Sequence, residues 1–432
     1  MSDKLRVLLV GNGGREHAIA WKLLQSPRIE HIYVVPGNGG TATLSSKVTN
    51  VSSVKDTDFA GLVQFAKDKN VNLLIPGPEA PLVAGIVDFF AENAGGMGIK
   101  AFGPSKAAAR MEGSKTFSKD FMKRHNIPTA AYENFSSYDA AREYLDSITH
   151  NVVIKASGLA AGKGVIIPAT KDEAHAALRE IMLDKEFGNA GDEVVIEEFL
   201  EGDELSILSF SDGHTIKSLP PAQDHKRIFD GDQGPNTGGM GTYAPTRIAP
   251  RDVLDRIDKE VLQPTIDGMR NEGFVFKGVL FTGLMMTKQG PKVLEYNVRF
   301  GDPETQSLLA LMESDLAEVM VACAEGRLQH VDVKVSDRSA ATVVVAAGGY
   351  PGSYEKGTKM TLDATPADVV LFHAGTSFAN DTLATSGGRV IASTATAPTL
   401  EEAVSKAYQG VECIHFEGMQ YRKDIAGRAL KK

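Results

Sequence analysis

The sequence predicts an α/β and α+β multidomain protein: a doubly wound parallel sheet at the amino terminus, a central α+β segment, and a small α+β cap at the carboxy terminus. Three observations predict it. The first hundred residues alternate short apolar runs with amphipathic stretches. The middle of the chain strings strands together through glycine-containing turns. The length, 432 residues, allows more than one core.

In the first segment, residues 6–10 read as a buried strand, 16–24 as a helix and 32–35 as a strand. A helix over 59–68, a strand over 73–75 and a helix over 82–92 follow. Such alternation implies parallel strands with helices on both faces, and ligands then sit at the carboxyl ends of the strands. Glycine-rich or proline-rich turns fall at those ends: Gly11-Asn12-Gly13-Gly14, Pro36-Gly37-Asn38-Gly39-Gly40 and Pro76-Gly77-Pro78-Glu79. In the second segment a helix over 115–124 stops at the Ile127-Pro128 break. Strands are expected at 152–155, 165–167, 194–199 and 205–209, a helix at 253–272, an antiparallel pair at 278–286 and 292–298, and a helix from about 305 to 325. The last hundred residues carry strands near 341–347, 369–373 and 390–394 and a helix at 400–409.

Composition narrows the function classes. Net charge is −9, with no long Lys/Arg tract, which argues against a nucleic-acid or membrane-surface protein. No apolar stretch approaches the roughly 20 residues of a membrane span, and the first residues offer no cleavable leader. Cys323 and Cys413 form no metal-spacing motif, so buried thiols in a reducing cytoplasm are expected. The 43 glycines point to tight turns and to backbone that must approach a ligand.

The most informative stretch is 291–306. Period-two alternation makes 293–298 a strand, so Glu295 and Asn297 share a face, with Arg299 next in line. A carboxylate beside an amide oxygen suits Mg²⁺. An arginine there suits a carboxylate or a phosphate. Taken alone, the pattern also fits an edge strand with a solvated polar face.

Gly11-Asn12-Gly13-Gly14-Arg15-Glu16-His17 follows the first strand and opens a helix, where backbone amides favour phosphate. It departs from the dinucleotide fingerprint: Glu16 stands where a third glycine would, and the second strand ends in Val-Val-Pro-Gly without an acid for a ribose. A nicotinamide oxidoreductase is disfavoured. Lys155-Ala156-Ser157-Gly158-Leu159-Ala160-Ala161-Gly162-Lys163-Gly164 puts two lysines and three glycines between two strands. Such a loop closes over polyphosphate, yet no Ser/Thr follows Lys163 and no helix comes next, so it is not a Walker A loop. Glu197-Glu198-Phe199-Leu200 and Glu204 end one strand and open another, where exposed backbone suits a purine ring and acids suit ribose hydroxyls. Residues 223–241 form a long polar, glycine-rich loop.

In this order the motifs resemble those of the ATP-grasp ligases. Gly-Gly-Arg-Glu-His-Ala at 13–18, Pro-Gly-Asn-Gly-Gly-Thr at 36–41, Pro-Gly-Pro-Glu-Ala-Pro-Leu at 76–82, Gln-Asp-His-Lys-Arg at 223–227, Gly-Pro-Asn-Thr-Gly-Gly-Met-Gly at 234–241 and Asn-Val-Arg-Phe-Gly-Asp-Pro-Glu at 297–304 resemble the phosphoribosylamine–glycine ligase family over nearly the whole chain. The resemblance implies an amino-terminal substrate domain (1–105), an ATP-grasp domain (113–325, with a glycine-rich lid at about 128–195) and a carboxy-terminal domain (331–432). It implies a carbon–nitrogen ligase that joins glycine to 5-phospho-β-D-ribosylamine with ATP and Mg²⁺ or Mn²⁺, in purine biosynthesis, as a cytoplasmic monomer or weak homo-oligomer without nucleic-acid or membrane partners. By the same resemblance Glu295 and Asn297 are the metal ligands. Lys115, Lys155 and Lys163 meet the ATP phosphates, and Glu197, Glu198, Phe199, Leu200 and Glu204 form the adenosine pocket. Asp224 and Arg299 hold glycine, with Lys155 the third catalytic group. Gly13, Gly14, Arg15, Gly37, Asn38, Gly39, Glu79, Lys226, Gly301 and Asp302 complete the substrate site. The strand before Glu295, Phe281-Thr282-Gly283-Leu284-Met285-Met286, supplies no acid, so water and phosphate oxygens would finish the metal shell. Two other readings share parts of this pattern: a bicarbonate-using ATP-grasp carboxylase and a non-catalytic nucleotide-binding module.

Overall fold

The structure, a computed structural model, describes residues 3–431. Its first strand, Leu5–Gly11, is almost wholly buried, as a central parallel strand covered on both faces must be. It sits between Ile29–Pro36 and Leu73–Pro76, and Val48–Asn50 and Lys100–Ala101 complete a five-stranded parallel sheet. The expected helix over 82–92 is two helices, Glu79–Ala84 and Ile86–Asn93. Gly85 between them has φ +93°, a left-handed conformation that glycine adopts at little cost.

The central segment holds two antiparallel sheets. Strands Ile216–Ser218, Asp203–Ser211, Gly278–Thr287 and Gly290–Asn297 lie in that order in one. Tyr132–Phe135, Val194–Glu198, Val152–Ala156 and Val165–Ile166 make the other. This second sheet packs with helices Tyr138–Ser147 and Lys171–Met182 around its own apolar cluster, including Leu145, Ile154, Leu178 and Ile196. The first sheet has no such independence. Leu205 and Ile207 share one core with Leu8 and Val10, and Leu208 and Phe210 share another with Leu5, Val7 and Leu9.

Three further expectations need correction. The helix over 253–272 contains a π-helical turn, Asp258–Leu262, between Arg251–Ile257 and Gln263–Asn271. The helix over 305–325 is broken into Glu304–Leu311 and Leu316–Glu325, because Asp315 caps the second one. The loop 223–241 is not free of structure. Gln223–Asp224 and Gly241–Ala244 add to the carboxy-terminal sheet, Gly241–Ala244 pairing with Ala340–Val343 of Ser339–Ala347, and Arg227–Phe229 pairs with Gln233–Asn236. The last sheet is thus built partly by the middle of the chain, continuing through Arg389–Ala397 to Val369–His373, with helix Leu400–Val411 packed against it. Among the described residues no helix is long and apolar enough to cross a membrane.

Asp315 joins two segments. Its carboxylate accepts the N–H groups of Ala317 (2.9 Å) and Glu318 (3.3 Å), and the hydroxyl of Ser26 (2.7 Å). Replacing it with alanine is expected to cost about 1–2 kcal/mol in chemical denaturation. A loss under ~0.3 kcal/mol would show that the cap is dispensable.

Candidate active site

The site is assembled around the end of the Gly290–Asn297 strand. Its register with Gly278–Thr287 shifts between Gly283 and Leu284, which face Glu295 and Val293, so Leu294 is the extra, bulged residue. Glu295, Asn297 and Arg299 follow on one half-buried face, as period two requires. Arg299 lies 3.0 Å from Glu112 and 3.3 Å from Glu79. Its Nη2 also approaches the amide oxygen of Asn297 at 3.5 Å. The other carboxylate oxygen of Glu112 accepts the Val298 N–H at 2.8 Å, so this buried acid grips both backbone and guanidinium. Burial works against the charge on Glu295, but Lys226, Lys155, Lys115 and Arg299 together hold it below the usual carboxylate range.

On the lid side, Lys155 points from its strand to Glu197 at 2.5 Å and to the Leu294 carbonyl at 3.2 Å. Lys119 reaches the second oxygen of Glu197 at 2.6 Å. Burial lowers Lys119 to about 8 despite that partner. Glu197 is therefore an internal anchor for two lysines rather than an acid open to ribose. Lys115 lies one helical turn before Lys119 and donates to the Gly158 carbonyl at 3.2 Å. The Phe199 N–H, expected in the adenosine pocket, is taken by the Asn151 carbonyl at 3.0 Å. Leu200 packs with Ala130, Met285 and Leu294 in a small apolar cluster. Glu198 is half-buried beside it, and Glu204 sits 3.5 Å from Lys226. Lys163 is exposed on the lid loop and, with Ala161 and Gly162, faces Asn236–Gly238 and Tyr350–Tyr354 across a cavity of about 490 Å³.

A second cavity, about 280 Å³, lies where the amino-terminal loops meet the carboxy-terminal sheet. Asn12, Gly13, Gly37, Asn38 and Asp302 line it, opposite Ala374–Thr376, Ser386, Gly387 and Arg389. Other expected residues support this cavity without lining it. Arg15 is buried, and its guanidinium is held by Glu16 (2.8 Å) and the Phe300 carbonyl (3.1 Å). Gly14 lies against Gln306, and Gly39 donates to Thr376 at 3.1 Å. At Gly301 a Cβ would come within 2.5 Å of Glu304. Asp302 accepts the Arg15 N–H (3.3 Å) and the Gln306 amide (2.8 Å).

Asp224, Lys226 and Glu304 sit within electrostatic reach of one another. Burial and Glu304 push Asp224 well above the usual range, and burial likewise raises Glu304. Lys226 is held charged, chiefly by Glu204 and against burial, with Glu295, Asp224 and Glu304 contributing. Among the described residues no three His, Cys, Asp or Glu side chains gather to hold a metal on their own. Glu295 and Asn297 offer an ionised carboxylate and an amide oxygen side by side, a donor pair that fits a hard divalent ion sharing its shell with phosphate oxygens.

Glu112, Lys119 and Arg389 belong to this site and escaped the sequence reading, while Glu304 closes the motif at 297–304 without having been given a role. Lys119 had one readable signal, its spacing of four from Lys115 on a helix. The others come together only through tertiary structure.

Fold and site define an ATP-grasp protein. Models of the phosphoribosylglycinamide synthetase N, ATP-grasp (A) and C domains match residues 5–112, 113–305 and 340–428, and the chain belongs to that family. It is 60% identical over 99% of its length to a bifunctional purine biosynthetic protein of Schizosaccharomyces pombe, covering 54% of that protein. It is 48% identical to the phosphoribosylamine–glycine ligase of Vibrio cholerae, covering 99% of both chains. The chain therefore spans about half the length of its bifunctional relatives and nearly all of the bacterial one. Its structure resembles that of the Thermotoga maritima phosphoribosylamine–glycine ligase, with a TM-score of 0.84 at 36% identity over 98% of this chain and 100% of the other. A Hydrogenobacter thermophilus biotin carboxylase domain shares the fold at 16% identity and a TM-score of 0.74, covering 98% of this chain and 92% of the other.

Two buried histidines clamp the amino-terminal domain to the last sheet. His17 accepts the His373 N–H at 2.8 Å, and the His373 ring meets Thr376 at 3.1 Å. Burial, and for His17 the neighbouring His373, lowers them to about 3 and about 4. Both are neutral in the fold, so below about pH 6.5 the unfolded chain binds protons that the native chain does not. Stability is expected to fall as pH drops from 6.5 toward 4. His17→Asn, which keeps an acceptor for His373, should flatten that slope in urea denaturation; an unchanged slope would reject the clamp as its source.

Proposed function

We propose that this chain ligates glycine to 5-phospho-β-D-ribosylamine at the expense of ATP, giving N1-(5-phospho-β-D-ribosyl)glycinamide, ADP and phosphate in the purine (IMP) pathway. The observation that carries this reading is the Glu295, Asn297 and Arg299 face itself, with Lys226, Lys155 and Lys115 around Glu295, and with Asp302, a little further along the chain, lining a glycine-rich cavity. A carboxylate, a triphosphate and a phosphorylated sugar can then meet within one cleft. In this reading the Leu200 backbone and the Ala130, Met285 and Leu294 side chains take the adenine. Lys115, Lys155 and Lys163 line the phosphates. Arg299 receives the glycine carboxylate and Asp224 its ammonium. Glu79 and Asp302 face the ribosylamine.

Two steps follow. The glycine carboxylate attacks the γ-phosphorus to form glycyl phosphate and release ADP. The ribosylamine nitrogen then attacks the acyl carbon, phosphate leaves, and the nitrogen loses a proton. The residues act by position and charge more than by covalent chemistry. Lys155, fixed by Glu197, and Arg299, fixed by Glu112, meet the charge that develops without having to reorganise. Glu295 and Asn297 would hold Mg²⁺ or Mn²⁺, which neutralises phosphate charge when bound. The mixed anhydride hydrolyses readily, so the lid loop over the cleft would serve to exclude water. The free thiols of Cys323 and Cys413 suit a reducing cytoplasm.

The test supplies ATP, Mg²⁺, glycine and freshly made phosphoribosylamine, and measures ADP and glycinamide ribonucleotide together. Equal amounts of both, formed only with all four present, are expected. ADP release driven by bicarbonate without glycine would favour the carboxylase reading. Arg299→Ala is expected to lower glycine-dependent ADP release about 100- to 1,000-fold, and a chelator should stop it. Near-normal turnover in that variant would remove Arg299 from the glycine site.

A further inference from the structure

We infer that Glu304 is the general base of the second step, its carboxylate taking the proton that the ribosylamine nitrogen sheds as it attacks the glycyl carbon. This deepens the ligase reading, rests on it, and supplies the proton acceptor that the reaction needs. As the C–N bond forms, the acyl C–O bond breaks and phosphate leaves with its electron pair. The nitrogen passes one proton to the carboxylate, which becomes a carboxylic acid and later returns that proton to solvent. Glu304 is the first residue of helix Glu304–Leu311 and is only 4% exposed. Among the described residues it has no ion-pair partner, and its carboxylate accepts a hydrogen bond from its own N–H alone. The other acids on the substrate side already have partners. Glu79 and Glu112 meet Arg299, Asp302 accepts the Arg15 N–H and the Gln306 amide, and Asp224 accepts the His225 N–H at 2.7 Å. A buried carboxylate without a cation in contact is costly, and such groups gather where chemistry uses them.

Its position fits the role. The carboxylate folds back over Gly301: a Cβ on that glycine would lie 2.5 Å from Oε2 and 3.0 Å from the carboxyl carbon. Gly301 lies inside the stretch Arg299-Phe300-Gly301-Asp302. The first residue of that stretch receives the glycine carboxylate in the ligase reading, and the last lines the glycine-rich cavity. The acid therefore lies beside the stretch that joins the places of the two reactants. An acid in a first helical turn ordinarily gains from the helix dipole. Here burial outweighs that gain and is the chief force raising Glu304 above the usual carboxylate range. Asp302 and Asp224 push the same way, while Lys226, Arg299 and Arg389 limit the rise. A raised carboxylate is the stronger base. Asp302 and Glu295 are weaker ones, because neighbouring cations hold both below the usual range.

The assay above, run on the wild type, Glu304→Gln and Glu304→Asp, reads ADP and glycinamide ribonucleotide separately. The glutamine keeps the shape of the side chain but accepts no proton. Its ribonucleotide formation should fall about 100- to 1,000-fold. Its ADP release should fall much less, because glycyl phosphate formed in the first step is then lost to water. Added hydroxylamine, which captures acyl phosphates unaided, should convert that excess into glycine hydroxamate. Glu304→Asp, which keeps an acceptor, should make more ribonucleotide than Glu304→Gln. Near-normal ribonucleotide formation in Glu304→Gln would overturn the assignment. So would equal losses of ADP and ribonucleotide, which would mark a residue that only binds or shapes the site. The ratio of the two products decides the matter even if the variant is partly unfolded, since unfolding lowers both alike. A wild type that makes no ribonucleotide overturns the ligase reading itself; an active wild type with an equally active Glu304→Gln overturns the base alone.

Discussion

The structure depends on one anionic residue where three parts of the chain converge. Asp302 follows the Gly290–Asn297 strand, accepts the Arg15 N–H from the amino-terminal domain, and offers its carbonyl to Arg389 of the last sheet. Burial alone would drive its proton on; Arg389 and Arg15, with the Gln306 amide, hold it ionised. A charge so placed is costly to leave alone, and removing one partner of a buried ionic cluster costs far more than the cluster contributes as a whole. Its role is geometric. It fixes where the glycine loops lie relative to Glu295 and Asn297.

The same logic recurs one layer deeper. Glu112 and Glu197 are both buried acids held on two sides, Glu197 by two lysines and Glu112 by Arg299 and the Val298 N–H. Each turns a flexible, many-rotamer side chain into a fixed one. The arginine and lysines of the cleft thus meet an anion already oriented, and the cost of ordering them was met during folding.

Much of this was legible in the chain, for physical reasons. Leu5–Gly11 announces itself as a short apolar run and Gly290–Asn297 by its period, and that period put Glu295, Asn297 and Arg299 on one face. The glycine turns at residues 11–14 and 36–40 sit at the strand ends, where parallel topology puts ligands. What stayed hidden depends on contacts across long stretches of chain. Glu112 meets Val298 from a helix with an unremarkable sequence, and Arg389 reaches Asp302 from a strand whose own pattern speaks only of a core. The strand Gly241–Ala244 lay unseen in a loop because its four residues carry little apolar signal, and pairing with Ala340–Val343 decides its state. The helix over 305–325 misled because apolar residues continue through a break that the Asp315 cap imposes.

The private core of the sheet that carries Lys155 has a consequence for the cleft. Ile154, Leu178 and Ile196 pack among themselves, so this unit leans on its neighbours through few apolar contacts. Its ties to the next sheet are polar and specific: Thr129 donates to the Val293 carbonyl at 2.6 Å, and Lys155 to the Leu294 carbonyl at 3.2 Å. Both bonds end on the strand that bears Glu295, so any displacement of one unit is felt first at that carboxylate.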